Sequence, residues 1–153
     1  MTTKKHSEDQ HLYLNTQKTK IMSTDKAKGS PNIQVNNEEL QCVESYEYLG
    51  SIINNNGDCS KEISRRLAIA IKKLNTMKNM WQSTSKILKL KILRACIFPV
   101  ATYGCESWTI TQKLRTKIQS FETKCYRKIL RIPWTEKRKN TDVLKVLNVK
   151  ENW

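Results

Sequence analysis

The stretch SKEISRRLAIAIKKLNTMKNMW, Ser60 to Trp81, decides how the rest of this chain is read. Ile63, Leu67, Ile71, Leu74, Met77 and Trp81 recur at intervals of three and four, which aligns them along one stripe of an α-helix. Arg65, Arg66, Lys72, Lys73 and Lys78 fill the remainder, and Ser60 stands where a helix cap belongs. The spacing predicts an amphipathic helix with a cationic outer face.

The same period continues downstream. A second helix is expected from Thr84 or Ser85 through Ile87, Leu88, Leu90, Ile92, Leu93, Cys96 and Ile97. Being apolar nearly all round, it should be the central and most buried one, with Pro99 ending or kinking it. A third opens at Thr111 and aligns Leu114, Ile118, Phe121, Cys125, Ile129 and Ile132, while Lys113, Lys117, Lys124, Arg127, Lys128 and Arg131 lie elsewhere and Pro133 stops it. Three apolar stripes that need one another make a small bundle. A short fourth helix should follow, capped by Asn140 or Thr141 and holding Val143, Leu144 and Leu147.

Upstream of Ser60 the period is two. Ile33 and Val35 alternate with polar residues, Asn36-Asn37-Glu38 supplies a turn, and Leu40 and Cys42 alternate again before Tyr46, Tyr48 and Ile52. This pattern predicts a hairpin followed by a further strand, with Glu38, Glu39, Glu44 and Glu47 on the solvent face. Residues up to about Gln10 are polar and mixed in charge, the composition of a disordered tail. Between the two lies a polar cluster of Asn15, Lys18, Thr19 and Lys20, readable either as a turn or as a group that handles phosphate. The fold class is therefore α+β and mostly helical.

Composition agrees with one domain, with room for an appendage, in a chain of 153 residues with only 4 Gly and 3 Pro. The net charge of +14 is unevenly placed. Residues 1–60 sum to −2, residues 61–100 to +9 and residues 111–139 to +8, so the whole excess lies between Lys61 and Lys139. Such a field attracts polyanions, nucleic acid foremost, with an anionic membrane or mere solubility as the bland alternatives. The five cysteines, Cys42, Cys59, Cys96, Cys105 and Cys125, include no C-x-x-C pair, and with only His6 and His11 no zinc ligand set can be assembled. Cys96 and Cys125 read as small core side chains. No signal peptide or membrane span is visible, so an intracellular location, nuclear or cytoplasmic, is expected. Aromatic rings at Tyr48, Trp81, Tyr103, Trp108, Tyr126 and Trp134 could stack on bases where exposed, but their spacing favours core packing.

Four segments in order, LNTQKTKIM (Leu14–Met22), YEYLGSIINNNGDCSKEISRRLAIA (Tyr46–Ala70), LRACIFPVATYGCESWTIT (Leu93–Thr111) and FETKCYRKILRIPWTEKRKN (Phe121–Asn140), closely resemble the C-terminal part of a reverse transcriptase. The family is that of LINE-type non-LTR retrotransposons, especially the endonuclease-carrying RTE-like clade, and the resemblance runs from Leu12 to Trp153. It implies a palm edge and primer grip over residues 12–58, a thumb-like bundle over 59–135 and a C-terminal extension over 136–153, behind the tail of residues 1–11. In such enzymes the Asn-x-x-Lys-Thr segment lies close to the incoming nucleotide, which makes Lys18 the candidate for assisting the pyrophosphate leaving group, with Asn15 and Lys20 beside it. Tyr48-Leu49-Gly50 resembles the primer grip. Arg65, Arg66, Lys72, Lys73, Lys124, Arg127, Lys128 and Arg131 become the expected phosphate contacts of a thumb.

Two departures limit what carries over. The Tyr/Phe-Ala-Asp-Asp turn that holds two Mg²⁺ ions in the family is absent, so no cofactor is expected and this chain alone should not polymerise. His11 stands where many relatives carry Gly. The expected function is that of a truncated remnant binding RNA, DNA or RNA–DNA duplex through the backbone, with association through an exposed palm-remnant surface. The alternative is an inert or promiscuous basic interaction protein. A helix-turn-helix reader is disfavoured, because the third helix offers Lys and Arg for phosphates and no Asn, Gln and Arg cluster at base-reading spacing.

Overall fold

The computed structural model describes residues 2–24, 31–35 and 37–149. Asn36, part of the expected turn, and residues 150–153 of the C-terminal extension lie outside the described residues. The chain divides into two compact units, residues 1–58 and 59–153. The architecture is α+β and mostly helical.

The first unit begins with a helix, α1 (Thr2–Asp9), where polarity predicts a disordered tail. Its end explains itself locally. His11 adopts a left-handed conformation (φ 56°), its N–H bonds the Glu8 carbonyl at 2.9 Å, and the Leu12 N–H bonds the Ser7 carbonyl at 2.8 Å. This paired closure favours Gly at the left-handed position, so His11 sits where a side chain is strained. The strands that follow are short. β1 (Lys20–Ile21) pairs in parallel with β4 (Gln41–Cys42), β2 (Gln34–Val35) pairs antiparallel with β3 (Glu38–Glu39), and β5 (Ser45–Tyr48) forms a hairpin with β6 (Ser51–Asn54). The alternation thus yields two hairpins and a parallel pair, not one hairpin and a further strand. Leu49 and Gly50 connect β5 to β6 with φ of 49° and 77°, the double left-handed turn of a two-residue hairpin loop. Leu, unlike Asn or Asp, carries no sequence signal for that turn. Glu38, Glu39, Glu44 and Glu47 are exposed, and Leu40 is buried.

The second unit holds the large core. α2 (Ser60–Thr76) buries Ile63, Leu67, Ala70 and Leu74. It stops five residues short of Trp81, which belongs to a separate single turn, α3 (Met80–Ser83), yet remains buried with its indole N–H donating to the Leu74 carbonyl at 3.0 Å. Cys59, not Ser60, occupies the cap position, and no side chain caps α2. The Cys59 thiol instead engages the Thr109 backbone, accepting from its N–H at 3.0 Å and donating to its carbonyl at 3.4 Å.

α4 (Lys86–Ile92) is capped by Ser85, whose side chain accepts from the Leu88 N–H. It then widens into a π turn (Leu93–Ile97) before α5 (Phe98–Ala101). The Phe98 N–H reaches back five residues to the Leu93 carbonyl, and the chain continues helically through Pro99. Proline inside a regular helix would lose its hydrogen bond and clash with the carbonyl four residues back, and a π turn is one way of accommodating it. The extra residue changes the helical phase. Leu93, Ile97, Phe98 and Ala101 enter the core, whereas α4 buries no residue and leaves Ile87 and Leu88 exposed. The expectation of a uniformly buried central helix is therefore corrected.

α6 (Gln112–Leu130) starts at the Thr111 cap, whose side chain accepts from the Leu114 N–H. It buries Leu114, Ile118, Phe121, Cys125, Tyr126 and Ile129, with the Phe98 ring set at 6.4 Å from Phe121 and edge-on at 6.2 Å from Tyr126. Arg131 ends it left-handed (φ 58°), the Ile132 N–H bonding the Arg127 carbonyl, and Pro133 prevents continuation. α7 (Asn140–Leu147) is not a free extension: Val143, Leu147 and Val149 join the same core. Its cap position is Lys139, and neither Asn140 nor Thr141 caps it. The Asn140 side chain is engaged elsewhere, as described below.

Candidate nucleic-acid interface

The candidate residues of the first unit fall on two turns. Asn15 Oδ1 accepts from the Lys18 N–H at 3.0 Å, while the Asn15 carbonyl accepts from the Lys18 and Thr19 N–H groups at 3.2 and 2.9 Å. The Asn-x-x-Lys-Thr cluster is therefore a closed turn in which Asn15 binds backbone. Thr16 donates to Glu38, and Lys20 Nζ donates to Gln41 Oε1 at 2.6 Å across the β1–β4 pair. Lys18 is exposed. Tyr48 is exposed at the end of β5, and Gly50 is used for its positive φ in the hairpin tip.

In the second unit the cations divide by what holds them. Glu62 is buried and accepts from Arg65 Nε and Nη2 at 2.9 Å each and from Arg66 Nε at 2.7 Å. The Arg66 guanidinium also lies 4.2 Å from the Tyr103 ring centroid. Arg65 and Arg66 thus share one buried counter-charge, and a phosphate would have to compete with it. Lys72 and Lys73 on α2 are exposed, as are Lys124, Lys128 and Arg131 on α6 and at its end. Lys117 donates to Ser64.

Arg127 differs from its neighbours. Its residue is only 8% exposed; Nη2 donates to the Arg138 carbonyl and to Asn140 Oδ1 at 3.1 Å, and its guanidinium lies 5.4 Å from the Trp134 ring. Lys124, Arg127 and Lys128, three and four apart on α6, line one cavity of about 680 Å³ with Trp134 and Asn140. Lys78, Lys128 and Arg131 border a second of about 320 Å³.

Burial raises the Cys125 thiol from its ordinary 9.0 to about 12, with the Glu122 charge adding to the shift and Lys124 opposing it. Glu122 is itself buried and accepts from the Tyr126 hydroxyl at 2.6 Å. Cys96 is half-buried. Of the aromatic candidates, Trp81 and Tyr126 are core and Trp108 is half-buried, but Tyr48, Tyr103 and Trp134 are exposed, against the expectation of core packing. Trp134 was named only as a ring able to stack if exposed, and Glu62 and Asn140 were not singled out by sequence reasoning as site residues. Only the three- and four-residue spacing of Glu62 to Arg65 and Arg66 could have pointed to one of them.

Among the described residues no group of His, Cys, Asp and Glu could hold a metal ion, and no helix is long and apolar enough to cross a membrane. No family model matches the chain, and no solved structure matches it significantly. The chain is similar to an uncharacterized transposon-derived protein of Caenorhabditis elegans, 31% identical over 134 residues, a match that covers 83% of this chain and 47% of that protein. It spans about half the length of that relative. The similarity supports a transposon origin.

Proposed function

We propose that the chain is a transposon-derived remnant of a LINE-type reverse transcriptase whose helical unit binds the phosphate backbone of RNA, DNA or RNA–DNA duplex without reading sequence. The observation that carries the reading is the segregation of charge. Residues 59–153 hold 22 Lys and Arg against six Asp and Glu, whereas residues 1–58 are net acidic. Exposed Lys72, Lys73, Lys124, Lys128 and Arg131 present that charge on a rigid helical frame, the arrangement backbone binding needs. The four family-like segments and the similarity to a transposon-derived protein support the origin.

Polymerisation is not part of the proposal, because the paired-Asp turn occurs nowhere in the 153 residues. Template-dependent extension of oligo(dT) on poly(rA) by the purified chain, with Mg²⁺ or Mn²⁺, would overturn that point. Binding is tested by fluorescence anisotropy against an RNA–DNA primer–template, single-stranded RNA and duplex DNA at several salt concentrations. Each neutralised phosphate of duplex DNA adds about 0.9 to the log–log slope. Preference for the primer–template, weakened when Lys124, Lys128 and Arg131 are changed together to Gln, supports a surviving thumb. Equal and weak binding to all three favours the second reading, a promiscuous basic protein. Exposed Leu12, Tyr13, Ile33, Tyr48 and Leu49 on the first unit favour association of that kind.

A further inference from the structure

We infer that the cavity around Arg127 is a binding site for a phosphorylated nucleoside, with the phosphate on the α6 cations and the base against Trp134. Arg127 carries the inference. The residue is more than nine-tenths buried, Nη2 is engaged by Arg138 and Asn140, and the buried Nε and Nη1 have no hydrogen-bond partner. A buried arginine with idle donors is costly unless something supplies acceptors. The remaining lining adds Lys124 and Lys128, one turn apart on the same helix, and no carboxylate. The arrangement selects an anion.

A bare phosphate would leave half of the site unused. Ile71, Leu74 and Ile132 give the cavity an apolar wall, and Trp134 stands at its edge 83% exposed, an unusual exposure for so large a ring. Stacking on an exposed indole is sequence-tolerant and suits any base. The volume of about 680 Å³ lies within the usual range for small-ligand sites, roughly 300–1,000 Å³. Anion and flat ring together describe a nucleotide, either free or as one unit of a single strand. Trp134 already covers one face of the Arg127 guanidinium, so a ligand reaching Nε or Nη1 has to shift the indole. Its fluorescence should therefore report occupancy.

The test titrates the full chain with AMP, adenosine, inorganic phosphate and a single-stranded adenylate pentamer, following tryptophan emission and, in parallel, calorimetry. AMP is expected to bind saturably, with adenosine and phosphate at least about tenfold weaker, the loss of one stacking or one ionic contribution. Lys124→Gln with Lys128→Gln, both exposed and outside the core, should weaken AMP by a similar factor, as should Trp134→Ala. Trp134→Phe should keep binding in calorimetry while losing the emission change. Far-UV circular dichroism checks that each variant is folded. A pentamer tighter than AMP assigns the site to a strand, and AMP tighter than the pentamer assigns it to free nucleotide. Absence of saturable AMP binding, or AMP binding indifferent to the Lys124/Lys128 and Trp134 changes, overturns the inference. Lys72→Gln with Lys73→Gln should lower duplex affinity and leave AMP untouched, so a chain that binds duplex but not AMP refutes this site alone.

Discussion

Replacing Glu62 by Ala tests whether Arg65 and Arg66 serve the fold or the ligand. The change removes the acceptor of three hydrogen bonds of 2.7–2.9 Å. The Glu62 side chain is 3% exposed, while those of Arg65 and Arg66 are 29% and 11% exposed. Breaking a fully buried ion pair costs about 3–5 kcal/mol. Arg65 can turn to water and recover its share, but Arg66, held over Tyr103, recovers little, so the expected loss is about 2–3 kcal/mol. Glu62→Gln, which keeps an oxygen but not the charge, should lose roughly half of that. The assay is urea denaturation of the full chain followed by far-UV circular dichroism, with the m-value unchanged. Duplex DNA binding supplies the second readout. Freed arginines in Glu62→Gln should steepen the log–log salt slope by up to about 1.8, two contacts at 0.9 each, whereas Arg65→Gln with Arg66→Gln in the parent chain should barely move it. A stability loss below about 0.5 kcal/mol refutes the buried network, since that is the scatter of surface substitutions. A slope reduced by about 1.8 in the double arginine variant refutes the claim that both are held by Glu62.

Other expectations follow from the same geometry. Trp81→Phe strands the buried Leu74 carbonyl and should lower stability by about 1–3 kcal/mol in the same urea assay, while an unchanged midpoint would mean that water takes the indole's place. Leu49→Asn, at an exposed position with φ 49°, should stabilise the β5–β6 hairpin by about 1 kcal/mol, read as slower amide exchange across Ser45–Asn54. Cys125 should make stability fall in alkali. Its thiol is raised in the folded chain from 9.0 to about 12, so its contribution is complete below pH 9.0 and is lost as pH rises toward 12, where the unfolded chain sheds the proton first. Cys125→Ala should shrink that alkaline fall, and an identical pH profile would contradict it.

Much of the helical unit was legible because burial there follows the 3.6 period. Ile63, Leu67 and Leu74, then Leu114, Ile118, Phe121, Cys125 and Ile129, are buried on the stripes their spacing defines. The limits have physical causes. The π turn at Leu93–Ile97 breaks the single phase on which a uniformly buried second helix was inferred. Left-handed Leu49, Arg131 and His11 are conformations that their residue types do not announce. Buried Glu62, Glu122 and Arg127 violate the rule that charge faces water, because each finds partners: Arg65 and Arg66, Tyr126, and the Arg138 and Asn140 groups. For the candidate site, the lysines of α6 could be read from sequence. The meeting of Arg127 with Trp134 and Asn140 could not, since it depends on how the chain turns after Pro133.

The place of α7 in the core bears on what a premature stop would do to this chain. Val143, Leu147 and Val149 come from the last stretch of described chain, yet they belong to the same core as the buried residues of α2, α5 and α6, with α7 packed against α6 and α4. A stop codon anywhere before Val143 would therefore not leave a shorter bundle. It would strip three buried side chains from the core and uncover the part of α6 against which α7 packs, and a two-state domain robbed of part of its core loses stability as a whole. A chain that runs through Val149 is in this sense part of what the helical core requires.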